Sequence, residues 1–304
     1  MTVVRPTFAL RFDSAHGVRL GARERQEDAL ICDFPAGSNM GFAVLADGMG
    51  GHSAGDIASK IVVTEVFSEL KMRSGTASRL ETGLRKALEG AAQAANACLN
   101  QFVAQRPAAR GMGATLLAPV LVEDRLHWIS IGDSPLYLFR DGALRRLNEL
   151  HTMAARRERA ANAGRFPNQD RAVGLPDQDG LTSALVGGRI AEIDCPHGPL
   201  RLRCGDILMA ASDGVNSIDD AHLQSLLQQS QAGSARDICD YLLRAIDDLA
   251  DPAQDNVSFC LIKVISDARP AEAEWPTRQT ATRDRSDKAV TIVASISRPA
   301  GWHQ

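Results

Sequence analysis

Apolar positions along the chain change period several times. Thr7–Phe12, Ala29–Cys32 and Gly41–Ala46 are short apolar runs that predict strands. From Ala54 to Met72, Ile57, Ile61, Val66 and Leu70 return at near-helical spacing, and Ser53 with Asp56 reads as a capping box for that helix. A second helix is predicted over Ala77–Ala104, where Leu80, Leu84, Leu88, Ala91, Ala95, Cys98 and Phe102 form one stripe. Both stripes read as core faces rather than cofactor boxes. After Pro107 the texture becomes β-like, with runs at Thr115–Val122, Leu126–Ile131 and Leu136–Arg140. Asp141-Gly142 predicts a hairpin with a two-residue turn. Residues 151–188 are polar and irregular, helix-like only at RRERAANAG, and a loop of that length inside a compact domain is usually functional. Strands resume at Ile190–Ile193, Ile207–Ala211 and Ser258–Ile265, with helices expected at about 219–229 and 234–249. Grouped strands and paired helices predict an α+β fold rather than a βαβ alternation.

From Ser266 onward the sequence is polar, Pro-containing and aperiodic, which reads as a linker. Within it AVTIVASI, residues 289–296, is one β-prone run. It is expected to dock as a strand on a sheet edge of this or another molecule, because an exposed run of this kind invites aggregation.

Composition removes several classes of function. With 304 residues, 44% hydrophobic and 23% charged, the chain can build a core. A net charge of −3 and 5% aromatic residues leave neither a basic footprint nor a stacking platform for nucleic acid. No apolar run is long enough to span a membrane, and MTVVRPTFALRFDSAHG lacks a basic-then-apolar leader, so a cytoplasmic location is expected. Cys32, Cys98, Cys195, Cys204, Cys239 and Cys260 form no C-x-x-C pair, and they read as reduced thiols rather than a disulfide framework or a zinc site.

The chemistry lies in the acidic residues. Four apolar runs are joined to an aspartate: GFAVLA to Asp47-Gly48, HWISIG to Asp133, ILMAAS to Asp213-Gly214, and Asp255-Asn256 to VSFCLIKV. Glu27-Asp28 opens a fifth strand. Carboxylates gathered at neighbouring strand ends raise each other's pKa unless a cation sits among them. A hard divalent ion, magnesium or manganese, suits an all-oxygen set, and no cluster of His or Cys argues for zinc. In DGMGGHSAG the glycines let the backbone approach a ligand closely, and the segment is not a P-loop. Arg23, four residues before Glu27, is suited to hold a phosphate, but it reads equally well as a solvated arginine of the charged RER run.

With GARERQEDAL (21–30), VLADGMGGHSAGDIAS (44–59), GMGATLLAPVL (111–121), LHWISIGDSPLYLFRDGAL (126–144), ILMAASDGV (207–215) and DNVSFCLIKV (255–264), the sequence resembles the metal-dependent protein serine/threonine phosphatases of the type 2C (PPM) family, bacterial members most closely. The resemblance covers about residues 7–265. It implies a phosphatase domain over 1–265, a tail over 266–304, and a four-layer α/β/β/α sandwich of two antiparallel sheets flanked by pairs of helices. It also implies hydrolysis of phosphoserine and phosphothreonine by direct attack of a hydroxide bridging two metal ions, Mn2+ or Mg2+, with a third ion in some bacterial relatives. Asp47 would bridge the pair, and the Gly48 carbonyl and Glu27 would hold one ion. Asp213 and Asp255 would hold the other, Asp133 with Asp213 the third. Asp28 would orient a metal-bound water from behind, and Arg23 would bind the substrate phosphate. The loop 151–188 would be a flap beside the cleft. Phosphorylated proteins and a cognate serine/threonine kinase are the partners implied.

The sequence departs from the family pattern at Gln26, Met49 and Pro135, and in NELHT, where the acidic residue common before the family's histidine is Leu150. His151 therefore receives no role. His52 stands as a candidate general acid and equally as a structural residue at a helix start. No departure removes an implied metal ligand, so activity is expected; the alternative is a catalytically silent module that binds phosphoproteins.

Overall fold

The computed structural model describes residues 10–35, 37–50, 54–162 and 180–266, and the backbone of 291–293. In chain order the strands are β1 (Leu10–Arg19), β2 (Ala29–Asp33), β3 (Met40–Ala46), β4 (Gly48–Met49), β5 (Gly113–Ala114), β6 (Leu116–Val122), β7 (Arg125–Ile131), β8 (Leu136–Arg140), β9 (Ala143–Arg146), β10 (Leu200–Arg201), β11 (Ile207–Ala211), β12 (Val257–Ser266) and β13 (Thr291–Val293). The helices are α1 (Gly55–Arg73), α2 (Ala77–Glu81), α3 (Leu84–Gln105), α4 (Met153–Asn162), α5 (Asp220–Ser230) and α6 (Ala235–Asp248).

Two antiparallel sheets form the centre, one ordered β1-β12-β11-β8-β9 and the other β10-β7-β6-β3-β2-β13. The strands read as continuous apolar runs because both of their faces are buried. In β3, Phe42, Val44 and Ala46 pack toward α1 and α3, while Ala43 and Leu45 point into the layer between the sheets. In β12, Val257, Phe259 and Leu261 face α5 and α6, while Cys260, Ile262 and Val264 face the other sheet. Three apolar layers result, one between the sheets and one under each helix pair, which is the expected α/β/β/α sandwich.

Local chemistry sets the element ends. Asp141 and Gly142 both have positive φ, 53° and 81°, and close the β8–β9 hairpin with Arg140 opposite Ala143. Ser234 and Asp237 form a reciprocal capping box on α6. Three expectations are corrected. The single helix over 77–104 is two, α2 and α3, broken where Gly83 adopts φ 64°, a conformation no helix continues through. Helix α1 starts at Gly55 with Ala54 as its N-cap and no side-chain cap, so the Ser53–Asp56 box does not define its start; Ser53 itself lies outside the described residues. Ile190–Ile193 is not a strand; at Asp194 an isolated bridge to Ser130 and a side-chain bond from Trp128 tie the stretch to β7. The first predicted strand is β1, which continues past Phe12 to Arg19; Thr7–Ala9 lie outside the described residues.

Of the β-prone tail run, Thr291–Val293 pairs antiparallel with β2 and forms an edge of the second sheet. The remainder of 289–296 lies outside the described residues.

Candidate metal centre

The acidic residues converge because each sits where its strand meets the same end of the two sheets. Asp47 follows β3, Asp133 follows β7 by one glycine, and Asp213 follows β11 by one serine. Asp255 and Glu27 lie two residues ahead of β12 and β2. Antiparallel order puts the starts of β2 and β12 level with the ends of β3 and β11. A cavity of about 440 Å³ opens there, lined by Arg23, Glu27, Asp47, Gly48, Asp133, Asp213 and Asp255. Arg23 is the only basic side chain among the described residues that line it.

The backbone around the cavity is tightly held. The Asp47 amide donates to Thr115 Oγ1 at 2.8 Å, and the Thr115 amide returns a bond to the Asp47 carbonyl at 2.9 Å. Thr115 Oγ1 lies 2.8 Å from Ser134 Oγ, which ties Asp47 to the Asp133 turn. The Glu27 amide donates to Asn256 Oδ1, and the Asn256 side-chain amide donates to the carbonyls of Leu20 and Arg25. Gly48 has no room for a side chain: a Cβ there would run into the carbonyls of Gly55 and Glu27. That close approach brings the start of α1 against the acidic set.

Asp28 lies behind the cavity, 5% exposed, with Oδ2 accepting from Ser212 Oγ at 2.8 Å. Its Oδ1 has no hydrogen-bond partner, and neither has Asp213 Oδ1. Burial, followed by the charges of Asp213 and Asp255, pushes the Asp28 carboxyl up to about 7 against the hydrogen bonds from Ser212 and Ser258. Burial and the neighbouring Asp28 and Asp213 hold Asp47 well above the usual carboxylate range. Asp213 is raised by burial and by Asp255, and Glu27 by burial and by Asp56. Four carboxyls that resist ionisation, two with orphaned buried oxygens, form a site short of positive charge.

Divalent cations fit that deficit. Among the described residues no group of three or more His, Cys, Asp or Glu side chains is drawn together closely enough to hold a metal ion by itself. Magnesium and manganese need none, since they keep several waters and take only one or two carboxylates each. The lining offers carboxylate oxygens and, among the described residues, no His or Cys, which suits a hard ion.

Other expected residues are placed as follows. His52 lies outside the described residues. Of the loop 151–188, Leu181 lines the cavity and pairs with Thr152 in an isolated bridge, while 163–179 is outside the described residues. Arg23 ion-pairs with Asp255. Two residues that the sequence analysis passed over have a part here. Thr115 lines the cavity and braces Asp47. His151, 1% exposed, accepts the Gly132 amide on Nδ1 at 3.0 Å, and its own amide donates to the Gly132 carbonyl. It thereby fixes the turn that carries Asp133. Loss of the usual acidic neighbour hid His151 in the sequence, although a histidine in a polar stretch so close to GDS was a usable signal.

A family model described as Protein phosphatase 2C matches residues 20–190. The serine/threonine phosphatase stp of Listeria welshimeri is 30% identical over 202 residues, 65% of this chain and 76% of that protein. The serine/threonine protein phosphatase PstP of Mycobacterium tuberculosis is 29% identical over 265 residues, 86% of this chain; the match spans 46% of PstP. A crystal structure of the PstP catalytic domain in complex with two manganese ions superposes with a TM-score of 0.63 and 27% identity, covering 86% of this chain and all of that one.

Proposed function

This chain belongs to the protein phosphatase 2C family, and from that membership we propose that it hydrolyses phosphoserine and phosphothreonine in proteins, using manganese or magnesium ions held in the acidic cavity. The observation that carries the reading is the cavity itself: Asp47, Asp213 and Asp255, with Glu27, Asp133 and the Gly48 backbone, line one space and lack positive charge. Asp47, Asp213 and Asp255 would hold the ions, with Gly48 through its carbonyl, and with Glu27 and Asp133. Such ions, when bound, acidify water to hydroxide at neutral pH and offset charge on the phosphoryl oxygens.

The chain's own groups supply the rest. Arg23 lines the cavity beside Asp255 with its side chain more than half exposed, and a guanidinium's paired N–H donors match two oxygens of a phosphate. Asp28, buried behind the site and fixed by Ser212, would orient a metal-bound water from behind. Thr115 and Asn256 keep Asp47 and Glu27 in position by bonds to their backbone. Direct attack of water on phosphorus is the proposed route, and it needs no phosphoenzyme and no cysteine or serine nucleophile.

The biological setting is part of the proposal: phosphoprotein substrates, opposition to a serine/threonine kinase, and a cytoplasmic location. Among the described residues no helix is long and apolar enough to cross a membrane. The silent-module reading is disfavoured because none of the acidic cavity residues is replaced. The test is substrate class. Metal-loaded protein is expected to release phosphate from phosphothreonine and phosphoserine peptides at least about ten-fold faster, in kcat/KM, than from nucleotides or sugar phosphates. Equal or greater rates on the small molecules would replace the protein substrate with a metabolite.

A further inference from the structure

The edge at which Thr291–Val293 pairs differs from the other edges of the two sheets. β9 is Ala-Leu-Arg-Arg, β10 is a two-residue strand, and β1 carries Arg11, Asp13, His16 and Arg19, devices that discourage strand addition. β2 is Ala-Leu-Ile-Cys-Asp, and all five residues are buried. Ala29 and Ile31 belong to the core under α1 and α3, and Leu30 and Cys32 to the core between the sheets. Without a neighbour on this side, the outward amides and carbonyls of an apolar strand would be open to pairing. The tail supplies such a neighbour: Thr291 lies opposite Cys32, Ile292 opposite Ile31 and Val293 opposite Leu30.

The direction of the chain favours docking within one molecule. β12 leaves the cavity end at Val257 and finishes at Ser266 at the far end of the sandwich. β13 starts opposite Cys32, also at the far end, and runs back toward Ala29. The 24 residues between Ser266 and Thr291 can extend to roughly 80 Å, ample for that return. Immediately before Ala29 stand Glu27, which lines the acidic cavity, and Asp28, buried behind it.

We propose that the β2 edge is a strand-docking site whose occupant is the chain's own C-terminal segment, and that this docking braces the Glu27–Asp28 end of β2, so that release of the tail loosens the cation site. The coupling to cations rests on the metal-centre reading; the docking does not. Among the described residues three pairs hold the strand, Thr291–Cys32, Ile292–Ile31 and Val293–Leu30.

The full chain tests this. In Thr291→Cys, a short bifunctional thiol reagent should link position 291 to native Cys32 within one molecule, as read by peptide mass mapping of the monomer. Ile292→Cys, opposite Ile31, should give no link to Cys32. Ile292→Pro and Val293→Pro are the second arm, since one of two adjacent strand residues donates to the ladder and proline cannot. In at least one of them the amides of Leu30–Cys32 should exchange about ten-fold faster, and manganese should bind several-fold more weakly, with the far-ultraviolet dichroism unchanged. Absence of the Cys32 link, or a link found only between two chains, would overturn docking by the chain's own tail. Unchanged manganese affinity in both proline variants would overturn the coupling. Wild type that binds no manganese would count against the metal-centre reading and remove the coupling with it. The docking would still be decided by linkage and exchange, both measured without metal.

Discussion

Arg23 and Asp255, 232 residues apart in sequence, meet at the cavity as an ion pair, with Nη2 2.5 Å from Oδ2. Both are partly exposed, so the pair adds at most about 1 kcal/mol to stability. Its consequence is positional. It holds the one cation of the described lining above the carboxylates, where an incoming phosphate would otherwise meet only negative charge.

Arg23→Ala should therefore act on substrate more than on metal. A charge-assisted pair of hydrogen bonds to phosphate is worth about 1.5–3 kcal/mol, so kcat/KM for a phosphopeptide should fall by about ten- to a hundred-fold. Manganese affinity measured by titration calorimetry should be unchanged or tighter, because Asp255 is freed. Arg23→Lys should restore only part of the loss, since it keeps the charge without the planar fork. Equal losses in metal affinity and kcat/KM would show that Arg23 serves the carboxylates and not the substrate.

The raised carboxyls predict how the metal-free protein responds to pH. Asp28 titrates at about 7 in the folded chain, against an ordinary value of 3.8. The folded state thus holds a proton that the unfolded state has lost, and stability falls as pH rises from about 4 to about 7. Three pH units correspond to about 4 kcal/mol as an upper figure. Asp28→Asn should melt higher than the wild type in chelator at pH 8, and the gap should close toward pH 4. Manganese should raise the wild-type melting temperature at pH 8 more than that of the variant. A gap that does not vary with pH would contradict the assignment.

Gly48 is sterically required. Its missing side chain leaves space occupied by the backbone carbonyls of Gly55 and Glu27, which cannot turn aside as a flexible side chain can. Gly48→Ala should cost about 1–3 kcal/mol in urea unfolding and weaken manganese binding, because the start of α1 must move away from the acidic set. Gly188→Ala, where a Cβ meets nothing within 4 Å, is the control and should change neither.

His151 predicts a dependence of opposite sign. Burial lowers its pKa below the ordinary histidine value of 6.5, and Nδ1 must stay unprotonated to accept the Gly132 amide. Its contribution is present above about pH 6.5 and is lost as pH falls through the folded-state value. His151→Leu leaves a buried amide without an acceptor and should cost about 1–3 kcal/mol at pH 7.5, with the difference from wild type shrinking at pH 5. A constant difference across that range would remove the acceptor role.

Much of this was legible in sequence because a strand buried on both faces writes a continuous apolar run, as in β3, β11 and β12, and because the aspartates stand directly at the ends of such runs. Their convergence was not local information; the order of motifs and the family resemblance supplied it. Two-residue strands such as β4 and β10 carry no periodic signal at all. The break at Gly83 was missed because the apolar stripe resumes in phase at Leu84, so packing continued where the backbone did not. Ile190–Ile193 has strand composition, but beyond the Asp194 bridge it has no partner strand, and pairing rather than propensity decides the outcome.

The central claim is that the Asp47–Asp213–Asp255 cavity is a hydrolytic metal centre. Phosphate release from a phosphothreonine peptide tests it most directly, in manganese and in chelator, for wild type and Asp213→Asn, alongside a melting curve for each. Activity should require metal and drop by at least about a thousand-fold in the folded variant. Release that persists in chelator, or that survives in Asp213→Asn, would contradict it.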